Sequence, residues 1–131
     1  MKQVLLIISL ILGATAASAD SRIFCECNSA LVFYNNRHQT AECSHSANSF
    51  LVTFNDTYVL SVSNTQCDEV LANNITQGEI FLACNVDTID TNGEQVRHSL
   101  KINRVSGAYE FYHSGMKMTK YGSCKKASNA F

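Results

Sequence analysis

The sequence predicts a mainly β fold: a small disulfide-stabilised antiparallel β-barrel or sandwich with one short helix. Three observations carry that reading. Short segments of alternating apolar and polar residues recur with turn residues between them. Six cysteines fall in a chain of 131 residues. Only one segment, Thr65 to Asn73, has a helical pattern.

Taken in order, residues 1–19 read as a removable signal peptide. Lys2 supplies the charged start, Val4 to Leu12 is an apolar run broken only by Ser9, and Ala17-Ser18-Ala19 is a small-x-small cleavage site. The run is too short to cross a bilayer of about 30 Å. No Cys stands immediately after the cleavage point, the first being Cys25, so a lipid anchor is not expected either. That leaves residues 20–131 as a single secreted or periplasmic domain. Strands are expected at Ile23 to Cys27, Ala30 to Tyr34, Ser49 to Phe54 and Thr57 to Ser63. In the second half they are expected at Glu79 to Thr88, Glu94 to Arg104, Tyr109 to His113 and Met116 to Tyr121. The helix is placed between Thr65, a capping residue, and Asn73, with Cys67, Val70 and Leu71 on the face toward the sheet.

The second half permits a register. A three-residue Thr91-Asn92-Gly93 loop pairs Asp90 with Glu94 and places Cys84 opposite Leu100 and Leu82 opposite Ile102. Two-residue turns at Ser106-Gly107 and Ser114-Gly115 then set Ile102 against Phe111 and Phe111 against Met118. All three turns give one apolar face, hence a four-stranded meander.

In an oxidising compartment, Cys25, Cys27, Cys43, Cys67, Cys84 and Cys124 read as three disulfides. Cys27 and Cys43 flank a hairpin centred near Asn35 and form the best local pair. Cys84 and Cys124 lie at different levels of the meander, so each is expected to pair elsewhere, and Cys67 anchors the helix to one of the remainder. No spacing suits a metal site.

Charged residues make up 16% of the chain, well under the average of about 25%. Removing the signal takes away Lys2 alone and leaves nine basic against eleven acidic side chains. No polybasic surface is available for nucleic acid or an anionic membrane, and no cofactor motif is present, so none of these partners is expected. The candidate chemistry is a pair of histidines, His98 and His113, set diagonally on neighbouring strands. Such a pair acts as general base and acid in metal-independent RNA cleavage. The plainer reading puts both at the end of the apolar face, where the sheet meets water. His38 and His45 fall in a polar stretch expected to be a loop.

Ser106-Gly107-Ala108-Tyr109 followed by Thr119-Lys120-Tyr121-Gly122 resembles the paired loop motifs of the bacterial C-type lysozyme inhibitors, small periplasmic β-barrels. Tyr109 comes one residue early, and Tyr121 splits the Lys-Gly pair. The resemblance implies binding roles for Ser106, Tyr109 and Lys120, with the Ser-containing loop and the Lys entering a lysozyme cleft. The run Ile102 to Tyr109, with the Gly122-Ser123-Cys124 ending, also resembles uncharacterised small secreted proteobacterial β-proteins and implies a fold without an activity. The leading expectation is an exported, non-enzymatic binding protein whose partner is another protein or a small ligand, with lysozyme inhibition as the most concrete version. The alternative is a small secreted hydrolase, a ribonuclease using His98 and His113.

Overall fold

The computed structural model describes residues 20–43, 49–63 and 65–127; residues 1–19, expected to be a signal peptide, and His45 lie outside them. Nine antiparallel strands follow one another: β1 Ser21–Tyr34, β2 Arg37–Ala41, β3 Ser49–Phe54, β4 Val59–Val62, β5 Glu69–Ile75, β6 Glu79–Ile89, β7 Gln95–Asn103, β8 Ala108–His113 and β9 Met118–Lys126. They form one sheet in the order β4-β3-β1-β9-β8-β7-β6-β5, with β2 also paired to β1. The sheet curls into a nearly closed barrel.

The two strands expected at either end of Asn28 are one long strand. Cys27 pairs with Gly122 but Ser29 with Tyr121, so Asn28 bulges out of the ladder. The extra residue switches the inward side, and buried Cys25 and Ala30 both face the core. The hairpin near Asn35 is present, with Asn35 and Asn36 at φ 50° and 61°, the left-handed pair a tight two-residue turn requires. Its return strand is β2, so His38 lies on a strand and not in a loop; its ring is 5.1 Å from that of Phe33. A five-residue polar strand at a sheet edge shows no alternation to betray it.

No helix is seen among the described residues. The segment expected to be helical is β5, paired along β6 from Glu69 opposite Asn85 to Ile75 opposite Ile80. A nine-residue helix is marginal in water. Here Cys67 is bonded to Cys84 on β6, which holds the following residues beside an open strand edge whose peptide groups β5 takes up. Val70 and Leu71, expected to face the sheet, are about half exposed.

The meander exists, with every expected pairing beyond Asp90 and Glu94 displaced by two residues. The Thr91-Asn92-Gly93 loop is as expected, with Gly93 at φ 81° and the Asp90 N–H donating to the Glu94 carbonyl at 2.8 Å. Beyond it, Asn85 pairs with Arg97 and Ile89 with Gln95, so three residues of β6 oppose Val96 alone. The Gln95 carboxamide fills this bulge by donating to the Val86 and Thr88 carbonyls. Cys84 therefore faces His98 and Leu82 faces Leu100. The other two turns have four residues each, which puts Ile102 opposite Tyr109, His98 opposite His113 and Phe111 opposite Lys120. Because each displacement is even, the inward face is unchanged.

Three disulfides join Cys25 to Cys124, Cys27 to Cys43 and Cys67 to Cys84, and no cysteine is free. The core packs Val52, Phe54 and Val59 against Ile80, Leu82, Leu100, Ile102 and Tyr109. The Tyr109 ring lies over Gly122, where a Cβ would stand 2.0 Å from the Glu26 carbonyl oxygen and 2.3 Å from the ring. Only glycine fits there.

Among the described residues, the hydrogen bonds between the two end strands come from one side chain. Asn73 on β5 accepts the Val59 N–H at 2.7 Å and donates to the Val59 carbonyl at 3.0 Å. Its carboxamide thus does for β4 what a paired peptide would do. Val59 is buried, so the near-isosteric Asn73→Leu leaves two peptide groups unpaired, at about 1–3 kcal/mol each. Thermal melts are expected to show a fall of roughly 10 °C or more. Asn74→Leu, at an exposed neighbour, is expected to change stability by less than about 0.5 kcal/mol. Equal effects would mean that Asn73 does not seal the barrel.

Candidate functional site

The strand directions give the barrel two distinct ends. One carries the β1–β2, β6–β7 and β8–β9 turns, and the histidine pair sits just inside it. The other carries the β3–β4, β5–β6 and β7–β8 turns together with Ser21 and Lys126.

His98 and His113 are direct cross-strand partners on the inward face, with ring centroids 4.6 Å apart. The even register displacement converts the expected diagonal into this face-to-face arrangement. Phe111 packs 5.1 Å from the His98 ring, and both His98 nitrogens are buried without a hydrogen-bond partner among the described residues. The Nδ1 of His113 accepts the Met116 N–H at 3.1 Å. Above the pair, Val96 is buried and lies within 3 Å of where a Gly115 Cβ would stand, so the β8–β9 turn closes this end tightly. The cavity bounded by Leu82, Cys84, His98, Leu100 and Phe111 has no space for a water molecule.

Burial drives the His98 pKa down to about 4, with the neighbouring His113 adding to the effect. Burial also lowers His113; a backbone hydrogen bond opposes the shift, and the Lys120 charge adds to it. Lys120 is 8% exposed, inside the barrel, and burial lowers its pKa as well. Three groups able to carry positive charge share one apolar interior, and the cheapest state leaves both imidazoles neutral. A general acid–base pair needs one protonated partner near working pH and room for its substrate; burial works against the first, while His98 also borders the recess of about 780 Å³ beside Arg97, Tyr112 and Lys117.

Of the three residues nominated through the resemblance, the structure brings only Ser106 to the surface. Tyr109 is 2% exposed, packs edge-on to Phe50 at 5.0 Å, and has its hydroxyl pKa raised to about 12 by burial. Tyr109 and Lys120 belong to the filling of the barrel, because alternation on β8 and β9 turns both side chains inward.

Ser106 stands in the Arg104-Val105-Ser106-Gly107 turn, which is fixed on every side. The Asn103 side-chain oxygen accepts the N–H groups of Val105 and Ser106, each at 2.9 Å. The Gly107 N–H donates to the Asn103 carbonyl at 2.8 Å, and the Cys124 N–H donates to the Gly107 carbonyl at 2.7 Å. The Ser106 hydroxyl oxygen accepts the Ala108 N–H at 3.2 Å. Gly107 has φ 80°, and a Cβ on it would lie 2.7 Å from the Cys124 carbonyl oxygen. This braced turn lifts Val105 into solvent at 88% exposure. Sequence reasoning passed over Val105 and Asn103, although Asn three residues before Ser is an ordinary sign of a turn built on a side-chain amide.

No protein-family model matches the chain, and no curated protein or solved structure matches it.

The lowered histidines link stability to pH. The unfolded chain protonates His98 near pH 6.5, whereas the folded one resists until about 4. The stabilising contribution is therefore complete above about pH 6.5 and disappears as pH falls through 4. Discounted for the half-buried position of the ring, the loss is about 1–2 kcal/mol. Melts at pH 7 and pH 4.5 are expected to show a smaller acid-induced fall for His98→Leu than for the parent. The same fall in both would place the linkage elsewhere.

Proposed function

We propose that the chain is an exported, non-enzymatic binding protein that engages a partner protein through the Ser106 turn, with lysozyme inhibition as its most concrete version. The observation that carries this reading is the rigid presentation of an almost fully exposed Val105. An apolar side chain held out from a scaffold by five hydrogen bonds costs conformational entropy at folding, not at binding. Such preorganised projections suit insertion into a concave partner. Three disulfides and a barrel packed with its own side chains supply the stiff base, and they accord with residence in an oxidising compartment.

In this reading the roles within the turn differ from those the resemblance implies. Val105 makes the contact, while the Ser106 hydroxyl serves mainly to fix the turn. Lys120 contributes from within by filling the barrel.

The test is slowing of a C-type lysozyme on cell-wall substrate by near-stoichiometric amounts of the protein. Val105→Ser is expected to weaken inhibition by about 10–100-fold, within the range of an interface hot spot. Tyr112→Ser, at a half-exposed residue of β8, is expected to leave it unchanged. Inhibition insensitive to Val105→Ser would remove the turn from the interface. RNA turnover that disappears in His98→Ala would overturn the non-enzymatic reading altogether.

A further inference from the structure

Beside the projecting turn, the barrel opens into a recess of about 350 Å³. Its floor is the end of the core: Ile23 with buried Phe54, Ile80 and Ile102. Its rim carries Arg22, Arg104, Lys125 and Lys126, and no Asp or Glu lines it. Four of the nine basic residues that follow the signal segment gather here, on a chain whose net charge is negative. None of the four forms an ion pair with a described residue.

We propose that this recess binds a small organic anion with a linear apolar body, of the alkyl carboxylate class. Arg104 is set for the head group. Its Nη1 donates to the Thr76 carbonyl at 2.5 Å, and its guanidinium carbon lies 5.5 Å from the centre of the Phe54 ring. The guanidinium is thereby held at the rim, while its remaining N–H donors are not engaged by described residues. Such a planar fork matches the two oxygens of a carboxylate. The alkyl body then lies against the barrel end at Ile23 and Phe54, removing its own apolar surface from water. Barrel mouths with an apolar floor and a few convergent polar groups are common ligand positions, and the volume lies at the small end of their range.

A larger recess, about 780 Å³, is lined by Arg97, Ser99 and Tyr112 together with His98. It mixes Asp90 and Glu94 with Arg97 and Lys117, so its lining selects no charge. The mouth selects one.

This site stands beside the proposed function and does not depend on the turn's partner. Calorimetric titration of the purified protein with butanoate, hexanoate and octanoate is expected to show affinity rising about fourfold per methylene until the recess is filled. Octanol and octylamine are expected to bind at least tenfold more weakly than octanoate. Octyl phosphate distinguishes a carboxylate head from a phosphate one. Arg104→Gln is expected to cost at least tenfold in octanoate affinity. Lys126→Gln serves as a second variant should the first fail to fold, and Lys117→Gln at the opposite end is expected to change nothing. Val105→Ser is expected to retain octanoate binding, which separates this site from the turn. Octanoate and octanol binding equally, or no binding of octanoate at millimolar concentration, would overturn the assignment.

Discussion

The pairing of the first strand with the last is the constraint from which the rest of the barrel hangs. β1 and β9 share a ladder from Ile23 opposite Lys126 to Val32 opposite Met118, and the Cys25–Cys124 disulfide crosses it over a separation of 99 residues. Everything else attaches to one side or the other. β3 and β4 extend outward from β1, while β8, β7, β6 and β5 extend outward from β9. Closing a loop of that length in the unfolded chain removes entropy equivalent to about 4.7 kcal/mol in the simplest model, a large share of the 5–15 kcal/mol by which domains are typically stable. Cys25 is fully buried, and Gly122 lies within one turn of the ladder from its partner. The bond, the ladder and the glycine under Tyr109 therefore act at one place.

What the sequence reveals of this arrangement follows from how local each signal is. The inward faces of β6, β7, β8 and β9 were legible because parity survives an even error in register. The register itself was not, since the β6 bulge is signalled only by what Gln95 does across the ladder, and a Ser-Gly dipeptide reads equally well as a whole turn or as half of one. Cys27 and Cys43 were legible as a pair because they close a short hairpin. Cys25 and Cys124 were not, because their meeting is decided by the last strand to be placed. The helix expectation failed for the same reason: the Cys67–Cys84 bond and the open edge of β6 are tertiary facts, and they outweighed a weak local preference. At the candidate site, Ser106 was visible as a turn residue. The cations at 22, 104, 125 and 126 were not, because nothing in a linear reading gathers them.

The two ends of the barrel solve opposite problems. At one, two imidazoles and the Lys120 side chain are drawn into an apolar interior, where burial favours the neutral form of the rings. At the other, charge is displayed around an opening whose floor is the hydrophobic core itself. A low net charge conceals this polarity. It arises because inward-facing positions of a strand change character at its ends, where Arg104 continues the row of Leu100 and Ile102 into solvent.

The Asn73 seam has a bearing on how molecules of this protein meet one another. Strand edges are templates for adding further strands, and proteins in which an edge is left open tend to stack. Here the two edges of the barrel guard each other, and the carboxamide of Asn73 occupies a donor and an acceptor that β4 would otherwise offer to another chain. Leu60, Val70 and Leu71, all substantially exposed, lie on the two strands that flank this closure. With the amide in place they border a sealed surface; with it gone they would border a sticky one. In this weakly charged chain, a neutral amide that occupies an edge strand's peptide groups removes part of the template on which further strands would add.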